Sequence, residues 1–258
     1  MIGVERVDFI GVRVRDLAEA DAYFADTLGL FERSPGSTER WVEYEAPNVT
    51  LALVPNEYTG GEHEPLPFAS VVVRVDDVDE ERRQLEGRGL EFVGDGFDSG
   101  VCKGAPFIAL DGNGMMLHHR YAPFVDGRSP EALRGRVDFV AVPVRDRDAA
   151  AAFYGGSLGL VRNAPTDTWV EYETGNLTLA FVDPATAGQE FKPLPGGTIA
   201  LRVEDVEAAK AHLEAAGSEF PAGIIDSGVC YIAPFSDPDG NGLMLHHRYA
   251  PKEPRGQG

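Results

Sequence analysis

"NGMMLHHRYAP" runs from Asn113 to Pro123, and "NGLMLHHRYAP" runs from Asn241 to Pro251. One chain of 258 residues thus writes nearly the same segment twice. Each copy opens on an Asn-Gly turn signal and continues as a short apolar run, which reads as a strand leaving a hairpin. Alternate side chains of a strand share a face. Met116, His118 and Arg120 therefore fall on one face, and Leu117, His119 and Tyr121 on the other. Met244, His246 and Arg248 repeat the arrangement.

Further blocks recur on either side of this segment. "VDFIGVRVRDLAEADAYFADTLGLFER" from Val7 matches "VDFVAVPVRDRDAAAAFYGGSLGLVRN" from Val137. "WVEYE" occurs at Trp41 and Trp169, and "DSGVC" at Asp98 and Asp226. The order is the same in both halves, so the chain is a tandem duplication. "FVDGRSPEALRGR" (Phe124 to Arg136) is polar, contains Gly and Pro, and reads as the linker. The expected domains are 1–123 and 137–251, joined by 124–136 and followed by a polar tail, 252–258.

Each half divides again. "VDFIGVRVRDLAEADAYFADTLGL" and "ASVVVRVDDVDEERRQLEGRGLEF" share one plan: an apolar run, an Asp, a helix-period stretch, then Gly. Asp16 and Asp77 suit helix N-caps, and Gly29 and Gly89 the C-terminal turns. Strand candidates follow each helix. The chain reads as four βαβββ units, the third beginning at Val137 and the fourth near Thr198. This is an α+β fold: four βαβββ modules paired into two cup-shaped mixed β-sheets with flanking helices, one cup expected per half.

Four such units, the "VRVRDL…FY…LGL" opening and the "DPDGNG" turn (Asp237 to Gly242) resemble the vicinal oxygen chelate superfamily of glyoxalase I, bleomycin-resistance proteins and extradiol dioxygenases. The resemblance covers nearly the whole chain. In metal-dependent members it implies a His in the opening strand and a Glu in the last strand of the units. Two imidazoles and a carboxylate then hold a divalent ion with open positions for two vicinal oxygens. Laid on this chain, the opening-strand positions are Phe9, Ser70, Phe139 and Thr198. The last-strand positions are Met116 and Met244, with Ala52 and Ala180 in the odd units. None is a usual ligand. No metal site is therefore expected, and a divalent Fe, Mn or Zn ion enters only through a non-standard site.

His118 and His246 remain as candidate general bases or hydrogen-bond donors on the cup face. Glu43 and Glu171 share a face with Trp41 and Trp169 by alternation. The expected lining of the cups is Phe9, Trp41, Glu43 and Met116 with their copies Phe139, Trp169, Glu171 and Met244. Asp98, Ser99 and Cys102 suggest a loop at the pocket mouth, where a Cys–His pair would suit nucleophilic chemistry. Packing as small hydrophobes is the alternative for Cys102 and Cys230.

Composition narrows the setting. The formal net charge is −19, with 42 acidic against 23 basic residues. Lys103, Lys192, Lys210 and Lys252 are the only lysines. An acidic, Lys-poor surface fits a halophilic protein in molar salt, where a ~3 Å Debye length screens self-repulsion. No basic patch invites nucleic acid. No apolar run is long enough for a membrane span, and the N-terminus lacks a signal-peptide pattern, so the expected location is the cytoplasm. The expected partner is a small molecule, with a homodimer left open. Two function classes follow. One is metal-independent binding of a small apolar or aromatic molecule. The other is an extradiol dioxygenase- or lyase/isomerase-type enzyme with a relocated metal or a His base.

Overall fold

The computed structural model describes residues 1–124, 127, 129–130, 133–163 and 169–251. The expected tail and several linker residues lie outside them. The first module is β1 (Arg6–Val14), α1 (Leu17–Ala22), β2 (Glu32–Arg33), β3 (Val42–Glu45) and β4 (Thr50–Pro55). The second is β5 (Val71–Arg74), α2 (Val78–Gly87), β6 (Phe97–Asp98), β7 (Cys102–Ile108) and β8 (Gly114–Arg120). The third is β9 (Val137–Pro143), α3 (Arg147–Ala151), β10 (Val161–Asn163), β11 (Val170–Glu173) and β12 (Thr178–Val182). The fourth is β13 (Ile199–Arg202), α4 (Val206–Ala215), β14 (Ile225–Asp226), β15 (Cys230–Ser236) and β16 (Gly242–Arg248). The four βαβββ units are thus present, in two eight-stranded mixed sheets.

Local chemistry sets the helix starts. Asp16, Asp77, Asp146 and Asp205 each accept backbone N–H bonds from the first turn of the following helix. The amphipathic face of α1 and the π-helical turn after it buries Ala20, Phe24 and Leu28. Gly29 ends that segment with φ 60°, a conformation that favours glycine. Among the described residues, no helix is long and apolar enough to cross a membrane.

The pairing of modules differs from one cup per half. One sheet has the order β14-β15-β16-β13-β1-β4-β3-β2, and the other β10-β11-β12-β9-β5-β8-β7-β6. The first module therefore shares a sheet with the fourth, and the second with the third. The opening strands make the joins, β1 with β13 and β9 with β5, both antiparallel. The two compact units instead follow the halves of the chain apart from the opening strands: Met1–Gly11 belongs with Val142–Gly258, and Val12–Ala141 forms the other. A duplicated sequence is compatible with either pairing, because both use the same strands with the same faces buried.

The Asn-Gly pair of the repeated segment acts as a clamp. Asn113 is buried; its Nδ2 donates to Arg13 O at 2.7 Å and Leu110 O at 2.8 Å, and its Oδ1 accepts from Leu66 N at 3.1 Å. Asn241 repeats this toward Pro143 O at 2.8 Å and Leu194 N at 2.9 Å. The glycines answer a close approach: a Cβ on Gly114 would lie 2.1 Å from Pro67 O, and one on Gly242 2.0 Å from Pro195 O. These four residues hold the start of the last strand, and with it the position of each histidine.

Candidate functional site

Strict alternation along β1 puts Asp8 and Phe9 on opposite faces, and the structure departs from it. Val7 pairs with Leu201 and Phe9 with Ala200, so Asp8 is an extra residue in β1. In β9, Val137 pairs with Val73 and Phe139 with Val72, leaving Asp138 as the extra residue. A bulge of this kind re-aims a side chain. Both members of each pair consequently reach the same histidine. Asp8 Oδ2 lies 2.5 Å from His246 Nδ1, and the Phe9 ring meets His246 edge-on with centroids 5.4 Å apart. Asp138 Oδ2 lies 2.5 Å from His118 Nδ1, and Phe139 is edge-on to that ring at 5.6 Å.

Four adjacent strands complete a row in each sheet. In one, Asp138 of β9 is followed by Arg74 of β5, His118 of β8 and Cys102 of β7. In the other, Asp8 of β1 is followed by Arg202 of β13, His246 of β16 and Cys230 of β15. Each row lies inside one compact unit. Gly104 stands opposite His118 and Cys102 opposite Arg120, so Cys102, His118 and Arg120 share a face. Arg74 Nε donates to Asp138 Oδ1 at 2.7 Å, with both side chains buried. Around Asp8 the partners change: Arg6 Nε is 2.8 Å from Oδ1, while Arg202 Nη1 is 3.7 Å from Oδ2.

The cysteines are free, half-buried thiols. Each closes a "DSGVC" turn. Ser99 Oγ accepts from Cys102 N at 3.1 Å and lies 3.2 Å from Cys102 Sγ; Ser227 does the same for Cys230 at 3.0 and 3.0 Å. Asp98 accepts from Gly100 N at 3.0 Å and from Tyr121 Oη at 2.6 Å, which ties the turn to the end of β8.

The row favours charge separation. Burial pulls the His118 pKa down, but the hydrogen bond to Asp138 and the nearby Cys102 outweigh it and leave it raised. Burial pushes Asp138 up, and the bonds from His118 and Arg74 carry it below the usual carboxylate range. Burial likewise opposes ionisation of Cys102, while His118 and Ser99 lower its pKa overall. His246, Asp8 and Cys230 shift in the same directions. With Nδ1 donating to the carboxylate, Nε2 is the ring nitrogen left for the thiol. Nε2 is therefore the atom at which His118 or His246 gives or takes a proton, as a donor when the ring is charged and as the expected general base when it is neutral.

The model of the Glyoxalase/Bleomycin resistance protein/Dioxygenase superfamily matches residues 6–117 and 136–245, one match per half. The chain belongs to this superfamily. Glyoxalase I from Zea mays is similar in structure at 18% identity and a TM-score of 0.64, over 93% of this chain and 92% of that one. A glyoxalase/bleomycin resistance protein from Streptomyces sp. CB03234 is 26% identical over 44% of this chain and 99% of that one, with a TM-score of 0.36. Lactoylglutathione lyase from Agrobacterium tumefaciens is 21% identical over 45% of this chain and 94% of that one, with a TM-score of 0.38. No curated protein matches the sequence.

Superfamily members commonly use a divalent metal, and the corresponding positions of this chain do not fit one. Phe9 and Phe139 pack against the histidines. Ser70 and Thr198 are buried and donate their hydroxyls to Pro67 O at 2.7 Å and Pro195 O at 2.6 Å. Met116 and Met244 offer only thioethers. Among the described residues, no group of three or more His, Cys, Asp or Glu side chains is placed to hold an ion. His118 Nε2 and Cys102 Sγ would supply two donors, fewer than zinc sites ordinarily use.

The remaining sequence-derived candidates fall elsewhere. Trp41 Nε1 donates to Glu43 at 2.8 Å and Trp169 Nε1 to Glu171 at 2.5 Å, so each pair does share a face. Tyr44, the residue after Glu43, points the other way, its Oη donating to Asp21 of α1. Glu43 lies in the sheet of His246, and Glu171 in that of His118. His119 and His247 donate Nδ1–H to Val75 O and Val203 O at 2.9 and 3.0 Å, a structural role.

Proposed function

We propose that this chain binds a small, largely apolar molecule carrying a hydrogen-bond acceptor, at two equivalent sites and without a metal ion. The observation that supports this reading is the substitution of every usual ligand position by Phe, Met, Ser, Thr or Ala beside a charged Asp–His pair. Phe9 with Met244, and Phe139 with Met116, supply apolar contact. His246 and His118 donate toward the acceptor, each oriented by its aspartate. An enzyme of lyase or isomerase type would use the same histidine as an acid, and Asp138 fixes its ring for that role as well.

Two measurements test the proposal. Untagged protein held in molar KCl and dialysed should contain well under one equivalent of Fe, Mn or Zn by elemental mass spectrometry. About one equivalent that survives dialysis would contradict the metal-free reading. The chain has two tryptophans, Trp41 and Trp169. Titration with small aromatic carbonyl compounds should change their fluorescence saturably, and a linear response throughout would count against a binding site.

A further inference from the structure

The Cys102 row has more parts than binding requires. A half-buried thiol, an imidazole and the carboxylate bonded to it lie on neighbouring strands of one sheet, with Cys102 on the face of His118, and Cys230, His246 and Asp8 repeat the arrangement. We propose that Cys102 and Cys230 are nucleophiles that add to conjugated carbonyl compounds, with His118 and His246 delivering the proton. This deepens the binding reading by naming the ligand class as soft electrophiles with a carbonyl acceptor.

The step balances without a co-reactant. The Cys102 thiolate attacks the β-carbon and forms the S–C bond. The π pair of the C=C bond moves onto the α-carbon and the carbonyl oxygen. The enolate then takes the proton from His118 Nε2, leaving a thioether and a neutral imidazole. Asp138 on Nδ1 holds the ring and stabilises its charge until transfer.

Acyl transfer fits the same triad less well, because it needs amides aimed at an oxyanion. The amides around Cys102 are already used: Gly100 N donates to Asp98, and Val101 N and Cys102 N to Ser99 Oγ. Conjugate addition asks only for a thiolate and an acid. Arg120, opposite Cys102 in the register, adds a cation on the same face. Its Nη2 donates to Pro123 O at 3.1 Å, and the equivalent Arg248 Nε donates to Ala250 O at 3.0 Å.

The test uses the full-length protein and acrylamide, with adducts at the two "DSGVC" peptides followed by mass spectrometry from pH 6 to 9. A thiol of ordinary pKa, about 8.5, would react about 75-fold faster at pH 8 than at pH 6. The proposal predicts a much shallower rise at both cysteines. It also predicts that His118→Asn slows Cys102 at pH 6 by about tenfold or more, while Cys230 is unchanged. The ordinary steep profile at both sites, or no adduct at either, would overturn it. The wild-type profile decides the question even if the variant fails to fold. Because the reaction with acrylamide does not depend on prior binding, its failure is distinct from failure of the tryptophan titration.

Discussion

Asp138 and Asp8 occupy equivalent bulges and hold equivalent histidines, yet their arginines behave differently. Arg74 is buried and bonded to Asp138 at 2.7 Å. Its counterpart Arg202 turns to Glu5 at 3.0 Å and stays 3.7 Å from Asp8, where the exposed Arg6 takes the second carboxylate oxygen. One neighbouring position differs between the two copies. Glu5 N donates to Arg202 O at 2.9 Å, and Gly135 N donates to Arg74 O at 2.8 Å, so Glu5 and Gly135 are equivalent. A carboxylate at that place draws the arginine outward, and a glycine leaves it with the aspartate. The lesson is that a duplicated catalytic-looking row can be tuned by a single neighbour outside the row.

Removing the aspartates should expose the contrast most strongly. Asp138→Ala removes the carboxylate that both a buried arginine and a buried histidine bond to, and should cost about 3–5 kcal/mol in chemical unfolding. Asp8→Ala should cost clearly less, since Arg6 is exposed and Arg202 keeps Glu5. Equal losses would break the comparison. Gly114→Ala and Gly242→Ala serve as the symmetric control. Each drives a Cβ onto a backbone oxygen, so both should lose about 1–3 kcal/mol, and by similar amounts.

Much of the fold was legible because its signals are local. The Asp caps, the Gly29 turn, the alternation of Trp41, Glu43 and Tyr44, and the Asn-Gly turn signal all act within a few residues or one strand, whereas the clamp that Asn113 makes with Arg13 and Leu66 spans distant segments. The histidines were legible too, through their face. Asp8 and Asp138 were not, because alternation placed them on the wrong side of Phe9 and Phe139. The one available signal was a carboxylate embedded in an otherwise apolar "VDF" run, present twice. The exchange of modules between sheets left no mark in the pattern at all, since it depends on which opening strands meet.

A smaller effect sharpens the role of the neighbour. In a Glu5→Ala background Arg202 should move to Asp8, and removing Asp8 should then cost about 1 kcal/mol more than in the wild type, as a double-mutant cycle would read. No coupling would mean that Glu5 does not set the geometry. The smallest expected effect is in pH dependence. Asp138 has a depressed pKa in the folded state, so its contribution is present above the ordinary carboxylate value near ~3.9 and is lost as pH falls through the lower folded value. The stability gap between wild type and Asp138→Asn should therefore close on acidification below about pH 4. A gap that stays constant would contradict the charged pair.

The most direct test of the charged row is the titration of His118 and His246 followed by NMR of their ring protons, in the wild type and in Asp138→Asn. Both histidines should titrate above the ordinary value of about 6.5, and the substitution should lower His118 alone. Titration of both at or below that value, or a His118 midpoint unmoved by Asp138→Asn, would contradict the account.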